Sequence, residues 1–228
     1  MMRRNIALIP AAGVGARFGA GKPKQYVEIN GKTVLQHTIE IFEQHPRIDL
    51  IAVILSPEDS VFQTALSEKV RVFRVGGASR AETVRNGVST LLEQGLAEAQ
   101  DNILVHDAAR CCLPAEALTR LLDEAGENDE GGILAIPVAD TLKRADGSYH
   151  IDETVARAGL WQAQTPQLFQ TALLNRALSV DDLSEITDEA SAVEKLGIRP
   201  RLVQGDTRNL KLTLPQDEYI VRLLLKAV

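Results

Sequence analysis

The sequence predicts an α/β fold built on a doubly wound, mixed sheet that is mostly parallel, and three observations carry that expectation. Short apolar runs recur along the 228 residues, and stretches of helical periodicity separate most of them. Two of the runs also break into glycines and small residues followed by a cation, as expected where a parallel strand turns into a helix above a ligand.

The first run, residues 6–9, is continuously apolar, the pattern of a strand buried on both faces. It gives way to Pro10-Ala11-Ala12-Gly13-Val14-Gly15-Ala16-Arg17-Phe18-Gly19 and then Lys22-Pro23-Lys24-Gln25. Glycines let backbone N–H groups approach an anion, and Arg17 and Lys24 add full charge, so the stretch has the makeup of a polyphosphate cradle. The dinucleotide fingerprint starting at Gly13 and Gly15 requires a small third residue, where Phe18 stands. A Walker loop ending at Gly21-Lys22 fails at Ala16 and at Pro23. A plain strand-to-helix turn would use the same glycines.

A helix follows over 34–44, with Val34, Leu35, Thr38, Ile41 and Phe42 on its inner face and Thr33 as N-cap. Strands are expected at 50–55 and 70–75. Gly76-Gly77-Ala78-Ser79-Arg80 then opens a helix over 80–92, whose Val84, Val88, Leu91 and Leu92 point inward. This turn could take a base or ribose close to the backbone, with Thr83 offering a hydroxyl, or it could serve only as a capped turn. Residues 103–106 form the next buried strand, and Asp107 lies at its carboxyl end, where ligands of open α/β sheets bind. A carboxylate there can hold Mg²⁺ or cap a helix, and His106 reads as a packed core histidine.

Pro114 suits the first turn of a third helix carrying Leu118, Leu121 and Leu122, and a strand follows at 133–137. Between 141 and 154, polar and β-branched residues flank Asp146-Gly147, which predicts a projecting hairpin arm suited to gripping a second subunit. Beyond it come a strand at 160–163, helices near 171–178 and 188–196, strands at 201–204 and 210–212, and a helix after Pro215. Taken alone, Arg157 is a surface cation and Thr165-Pro166-Gln167 a turn, while Thr187-Asp188-Glu189 is an N-cap with first-turn acids. Lys211, between Leu210 and Leu212, calls for a nearby anion or a route to the surface. With no repeat or low-complexity linker, residues 1–228 parse as one domain with an arm at about 139–158.

A net charge of −6 argues against non-specific nucleic-acid binding, so an anionic substrate must meet locally clustered cations. A chain this long buries roughly 70% of its unfolded surface and needs no staples. No stretch approaches the roughly 20 apolar residues of a membrane span. The N-terminal apolar run stops at Pro10, short of a secretory core. Cys111 and Cys112 are adjacent, which disfavours an unstrained disulfide, and they lack a second pair at zinc spacing; buried thiols in a reducing cytoplasm are expected.

Ile9 to Arg17, Lys22-Pro23-Lys24-Gln25-Tyr26, Gly76-Gly77 with Arg80, His106-Asp107-Ala108-Ala109-Arg110, Thr165-Pro166-Gln167, Ile186-Thr187-Asp188-Glu189-Ala190 and Asn209-Leu210-Lys211 occur in order, nearly end to end. Together they resemble the 2-C-methyl-D-erythritol 4-phosphate cytidylyltransferase family of the non-mevalonate isoprenoid pathway. The resemblance implies a Rossmann-like domain whose arm completes the partner's site in a homodimer. It implies a Mg²⁺-dependent reaction in which the 4-phosphate attacks the α-phosphate of CTP and pyrophosphate leaves. By position, Arg17 and Lys24 would stabilise the transition state, Ala11, Ala12, Gly13, Gly15, Gly77, Thr83 and Ala108 would line the CTP site, and Arg110 would bind substrate. Asp107 would hold the metal; Arg157 and Thr165, from the neighbouring arm, would hold the sugar phosphate together with Thr187 and Lys211.

Two positions depart from the family pattern. Cys111 stands where proline is usual, which would loosen the turn carrying Asp107 and Arg110, and Ala78 lacks the acid some members carry. The sequence ends at Val228, so the cyclase domain fused to some members is not expected. A cytidylyltransferase for ribitol 5-phosphate or another polyol phosphate would share this scaffold and differ at Arg157, Thr165 and the arm. A non-catalytic nucleotide-binding relative would be expected to have lost one of Arg17, Lys24, Asp107 or Lys211, and all are present.

Overall fold

Side-chain alternation along the first strand already divides the core in two. In β1, Asn5–Pro10, the residues Ala7 and Ile9 pack with one set of helices while Ile6 and Leu8 pack with another, all four fully buried. Successive strand side chains point to opposite faces, so a run without polar residues demands cover on both. The computed structural model describes residues 3–13, 23–63 and 67–226.

After β1, a 3-10 turn at Lys24–Tyr26 leads into a small hairpin, β2 at Glu28–Ile29 and β3 at Lys32–Thr33. Its turn is Asn30-Gly31, with both φ values positive (52° and 84°), which suits the twist of a two-residue hairpin and favours these residue types. Helix α1, Val34–Gln44, is closed by a capping box: Thr33 Oγ1 accepts from Gln36 N at 3.1 Å, and Gln36 Oε1 accepts from Thr33 N at 2.7 Å. Ile39 is buried on the inner face, whereas Ile41 is only partly covered. β4, Leu50–Ile54, and β5, Val70–Phe73, precede α2, Arg80–Glu93. β6, Asn102–Val105, is followed by α3, Ala115–Ala125, which begins just after Pro114.

β7, Gly132–Pro137, leads to the arm, where β8, Leu142–Ala145, pairs antiparallel with β9, Ile151–Val155, in a separate two-stranded sheet. The turn is longer than the Asp146-Gly147 dipeptide predicts. Asp146 N donates to His150 O, the Asp146 carboxylate accepts from Ser148 N and His150 N, and the positive φ falls on Tyr149. β10, Trp161–Gln170, is one long strand, not a short one followed by a turn. Pro166 is accommodated because the register with β7 shifts between Ala163 and Gln167, which spares a ladder bond that proline cannot donate. α4, Thr171–Leu178, α5, Glu189–Glu194, β11, Arg201–Gln204, and α6, Asp217–Leu224, complete the chain.

The main sheet has the order β11-β7-β10-β6-β1-β4-β5. β10 is antiparallel to both neighbours and the remaining strands run one way, so the sheet is mixed and mostly parallel. α1 and α3 cover one face; α2, α4 and α5 cover the other, as a doubly wound sheet requires. Cys111 and Cys112 are free and buried in a third cluster with Val34, Leu212 and Val221.

The strand expected at 210–212 does not form. Its alternation is real, since Leu212 is buried and Lys211 turns to the opposite side, but the segment makes a local bond, Leu210 N to Arg208 O at 2.7 Å, and is tied across by Leu212 N to Ala109 O at 2.8 Å, with no ladder. No helix among the described residues is long and apolar enough to cross a membrane.

Candidate active site

The parallel strands end on one side of the sheet, and their carboxyl-terminal loops enclose a cleft of about 390 Å³. Ala11, Ala12 and Gly13 follow β1, Ser56 follows β4, Gly77, Ala78 and Ser79 precede α2, and Asp107, Ala108 and Ala109 follow β6. Lys24 and Gln25 line it from the 3-10 turn, with Lys211 and Arg80 completing the wall.

Close backbone contacts hold these loops in place. Ala11 N donates to Ile54 O and Gly76 N to Leu55 O, both at 2.8 Å. A Cβ on Gly76 would lie 2.3 Å from the Ala12 side chain, so only glycine allows the two loops to meet there. Gln25, 5% exposed, donates through Nε2 to Ala11 O and Gly13 O, each at 2.9 Å, which pins the start of the first loop. Thr83 also acts inside the chain: its Oγ1 accepts from Gly77 N at 3.1 Å and donates to Ser79 O at 2.9 Å, which shapes the second loop. Ala78 lines the cleft as well, and its N–H donates to Glu82 Oε2 at 2.8 Å.

Asp107 is the electrostatic centre. Arg80 Nε lies 2.9 Å from Oδ1, while Lys211 Nζ lies 2.8 Å and Arg110 Nε 3.5 Å from Oδ2. Burial pushes its carboxyl up, but Arg80, Lys211 and Arg110 outweigh that and hold it well below the usual carboxylate range. Arg80 in turn gives both terminal nitrogens to Glu189, at 2.7 and 3.0 Å, and Glu189 is 1% exposed. Burial pushes the Glu189 carboxyl up against the pull of Arg80.

A buried relay supports the Asp107 backbone. Asp107 N donates to Thr165 Oγ1 at 3.1 Å; the Thr165 hydroxyl lies 3.1 Å from His106 Nδ1; His106 Nε2 lies 3.0 Å from Arg110 O. A carbonyl can only accept, so His106 carries its proton on Nε2 and accepts from Thr165 on Nδ1. Burial lowers the His106 pKa to about 4, and its ring packs edge-on to Phe42 at 5.1 Å, the packed core role the sequence suggests.

The predicted site residues therefore separate into groups. Ala11, Ala12, Gly13, Lys24, Gly77, Thr83, Asp107, Ala108 and Lys211 come together at the cleft. Gly15 and Arg17 lie outside the described residues. Arg110 sits behind Asp107, anchored through NH1 to Asn209 O at 2.6 Å. Thr165 is not on the arm: it lies in β10 and is buried beneath Asp107 because its hydroxyl serves the relay. Arg157 and Thr187 are exposed and outside the cleft lining. Arg80, Gln25 and Ser56 had no assigned role from sequence, and Glu189 was read only as a first-turn acid. Glu189 had no local signal, because its partner is 109 positions away and its place in the first turn of α5 fits a cap equally well.

Among the described residues no three His, Cys, Asp or Glu side chains converge as a metal cage. Mg²⁺ can be held by one or two carboxylates, but both oxygens of Asp107 are taken by Arg80, Lys211 and Arg110, so the described residues do not by themselves make a Mg²⁺ site.

Comparison with known proteins agrees with this geometry. Residues 5–227 match the family model described as IspD, 2-C-methyl-D-erythritol 4-phosphate cytidylyltransferase. A protein of that name from Neisseria meningitidis serogroup C is 70% identical over the whole of both chains, and one from Chromobacterium violaceum is 50% identical over 97% of this chain and 98% of its own. A crystal structure of 4-diphosphocytidyl-2C-methyl-D-erythritol synthase superposes with TM-score 0.89 at 64% identity, covering 99% of this chain and 100% of the other. The Francisella tularensis 2-C-methyl-D-erythritol 4-phosphate cytidylyltransferase follows with TM-score 0.82 at 32% identity, covering 97% and 99%. With a match from the first strand to the last helix, the chain belongs to the 2-C-methyl-D-erythritol 4-phosphate cytidylyltransferase family.

Proposed function

We propose that this chain transfers the cytidylyl group of CTP to 2-C-methyl-D-erythritol 4-phosphate. A phosphate oxygen of the acceptor bonds to the α-phosphorus of CTP, the bond from that phosphorus to the bridging oxygen breaks, and pyrophosphate leaves. The observation that carries the reading is the set of cations at the strand ends, Lys24 and Lys211 lining the cleft with Arg80 beside Asp107. An attacking phosphate needs little base catalysis but must approach another anion, so positioning and neutralisation do most of the work.

In this reading the loops at Ala11–Gly13 and Gly77–Ser79 seat the nucleotide, Lys24 and Arg17 act on charge growing at the α-phosphate, and Lys211 orients the acceptor. Mg²⁺ would neutralise the triphosphate, and for Asp107 to hold it one of the cations now at that carboxylate, Arg80 or Lys211, would have to give way. Arg157, exposed at the base of the arm and outside the cleft lining of its own chain, would reach the acceptor held by a second copy, and Thr187, next to the α5 cap, would help Lys211 hold the sugar phosphate. The arm supports a homodimer, since Tyr149 is 94% and Ile151 67% exposed in one chain. The adjacent buried thiols suit a cytoplasmic enzyme.

Pyrophosphate release tests the reading. CTP with methylerythritol phosphate and Mg²⁺ is expected to turn over much faster than CTP with ribitol 5-phosphate. Preference for ribitol 5-phosphate would reassign the acceptor, and no release with either would leave a nucleotide-binding protein.

A further inference from the structure

Lys24 stands on a 3-10 turn of three residues, too short to hold itself. Its internal bonds are Tyr26 N to Pro23 O at 2.9 Å and Val27 N to Lys24 O at 3.2 Å, and no side chain caps its start. A helical piece of this length has no cooperative stability of its own, so contacts with the rest of the chain decide where it presents Lys24.

Two consecutive residues make those contacts, each to a different loop of the cleft. Gln25 donates to Ala11 O and Gly13 O in the loop after β1. Tyr26, 4% exposed, buries its ring in the core on the α1 and α3 face and gives its hydroxyl to Asp59 Oδ2 at 2.5 Å. Asp59 belongs to the loop after β4, which also brings Ser56 to the cleft.

The Asp59 end of this bond is itself fixed. Oδ1 accepts from Val61 N at 3.1 Å and Phe62 N at 2.9 Å, the Asp59 N–H donates to Ser56 O at 3.0 Å, and the Asp59 carbonyl accepts from Arg74 Nε at 3.2 Å. The loop thus occupies Oδ1, while Oδ2 takes the Tyr26 hydroxyl. A hydrogen bond to a carboxylate is roughly twice as strong as one between neutral groups. Burial and the bond to Asp59 raise the Tyr26 pKa, so the phenol keeps the proton that this bond needs. Packing alone would be served by a phenylalanine; the hydroxyl adds a directional tie.

We propose that Tyr26 and Asp59 are positioning residues for Lys24: their bond ties the 3-10 turn to the loop after β4 and so fixes where the Lys24 ammonium stands at the cleft. The proposal rests on Lys24 acting on charge that grows at the α-phosphate.

A double-mutant cycle read by steady-state pyrophosphate release tests it. Tyr26→Phe keeps the buried ring and removes the hydroxyl. It is expected to lower kcat about 10-fold and leave KM for CTP nearly unchanged, since displacing a group that acts in the transition state costs rate more than affinity. Added to Lys24→Ala, the same substitution is expected to cost less than about 2-fold more, because residues that act through one group are not additive. Asp59→Asn, which leaves the tyrosine in place, carries the same cycle if Tyr26→Phe does not fold. Wild-type kcat in Tyr26→Phe with a lowered melting temperature would overturn the proposal and leave the bond a structural tie. An equal loss in both backgrounds would also overturn it, since the bond would then act on the site by another route. Near wild-type kcat in Lys24→Ala would overturn the reading of Lys24 and the proposal with it.

Discussion

Lys24 lines the cleft from a 3-10 turn whose neighbour Gln25 is bonded to the first loop, so its ammonium acts from a braced position. A cation acting on charge that grows in the transition state affects kcat more than substrate affinity. Lys24→Ala is therefore expected to lower kcat by about 10²–10³, read from steady-state pyrophosphate release. Near wild-type kcat would remove Lys24 from the chemistry. His106 makes a different prediction, because burial holds its pKa at about 4 when an unfolded histidine titrates near 6.5. Between those values the unfolded chain binds a proton that the folded chain does not, so stability rises with pH across this window. It is lost as pH falls from about 6.5 towards 4, by an amount on the order of 3 kcal/mol for this group. Urea midpoints measured at about pH 7.5 and about pH 5 should differ in the wild type and differ less in His106→Gln. His45, also lowered by burial, keeps part of the slope. These residues were legible in the sequence because their signals are local: a glycine loop followed by cations, and an acid at a strand end. Arg80 with Glu189 was not, because the fold alone brings their 109-residue separation to a hydrogen bond.

At the scale of elements, what was legible depended on whether one period ran unbroken. Helix α1 shows an uninterrupted helical pattern behind a threonine, and it forms with the predicted bounds and cap. Thr33→Ala removes the hydroxyl that accepts from Gln36 N and is expected to cost about 0.5–2 kcal/mol in urea unfolding; an unchanged midpoint would mean the cap adds nothing. β10 was harder to see because Pro166 interrupts its pattern, and only the register shift against β7 explains how a strand continues through it. The alternation at 210–212 misled in the other direction: side chains alternate wherever an extended segment lies on a core, with or without a ladder. The β2–β3 hairpin was not read from the sequence: Asn30-Gly31 suits its turn, but two-residue strands are too short to show a period.

At the scale of the whole molecule, the alternation of strands and helices predicted the layers but not the strand order. The arm reverses the chain after β7, so β10 returns antiparallel and enters between β6 and β7, where its Thr165 can reach His106 and Asp107. The same reversal leaves Arg157 exposed at the base of the arm while Lys24 lines the cleft. If a second copy supplies Arg157 to each cleft, then Lys24→Ala and Arg157→Ala damage the same site from different chains. Each variant alone should be nearly inactive. In a heterodimer one site carries both defects and the other carries neither. Random exchange of equal amounts makes half the dimers mixed, so about a quarter of all sites should be intact and activity should recover to about that fraction. Mixing the purified variants under conditions that allow subunit exchange, then assaying pyrophosphate release, measures this directly. Recovery towards a quarter requires the site to be shared between chains. A mixture no more active than its components, with exchange confirmed by a mass-labelled subunit, would place Arg157 outside the partner's site and reduce the arm to an element of assembly.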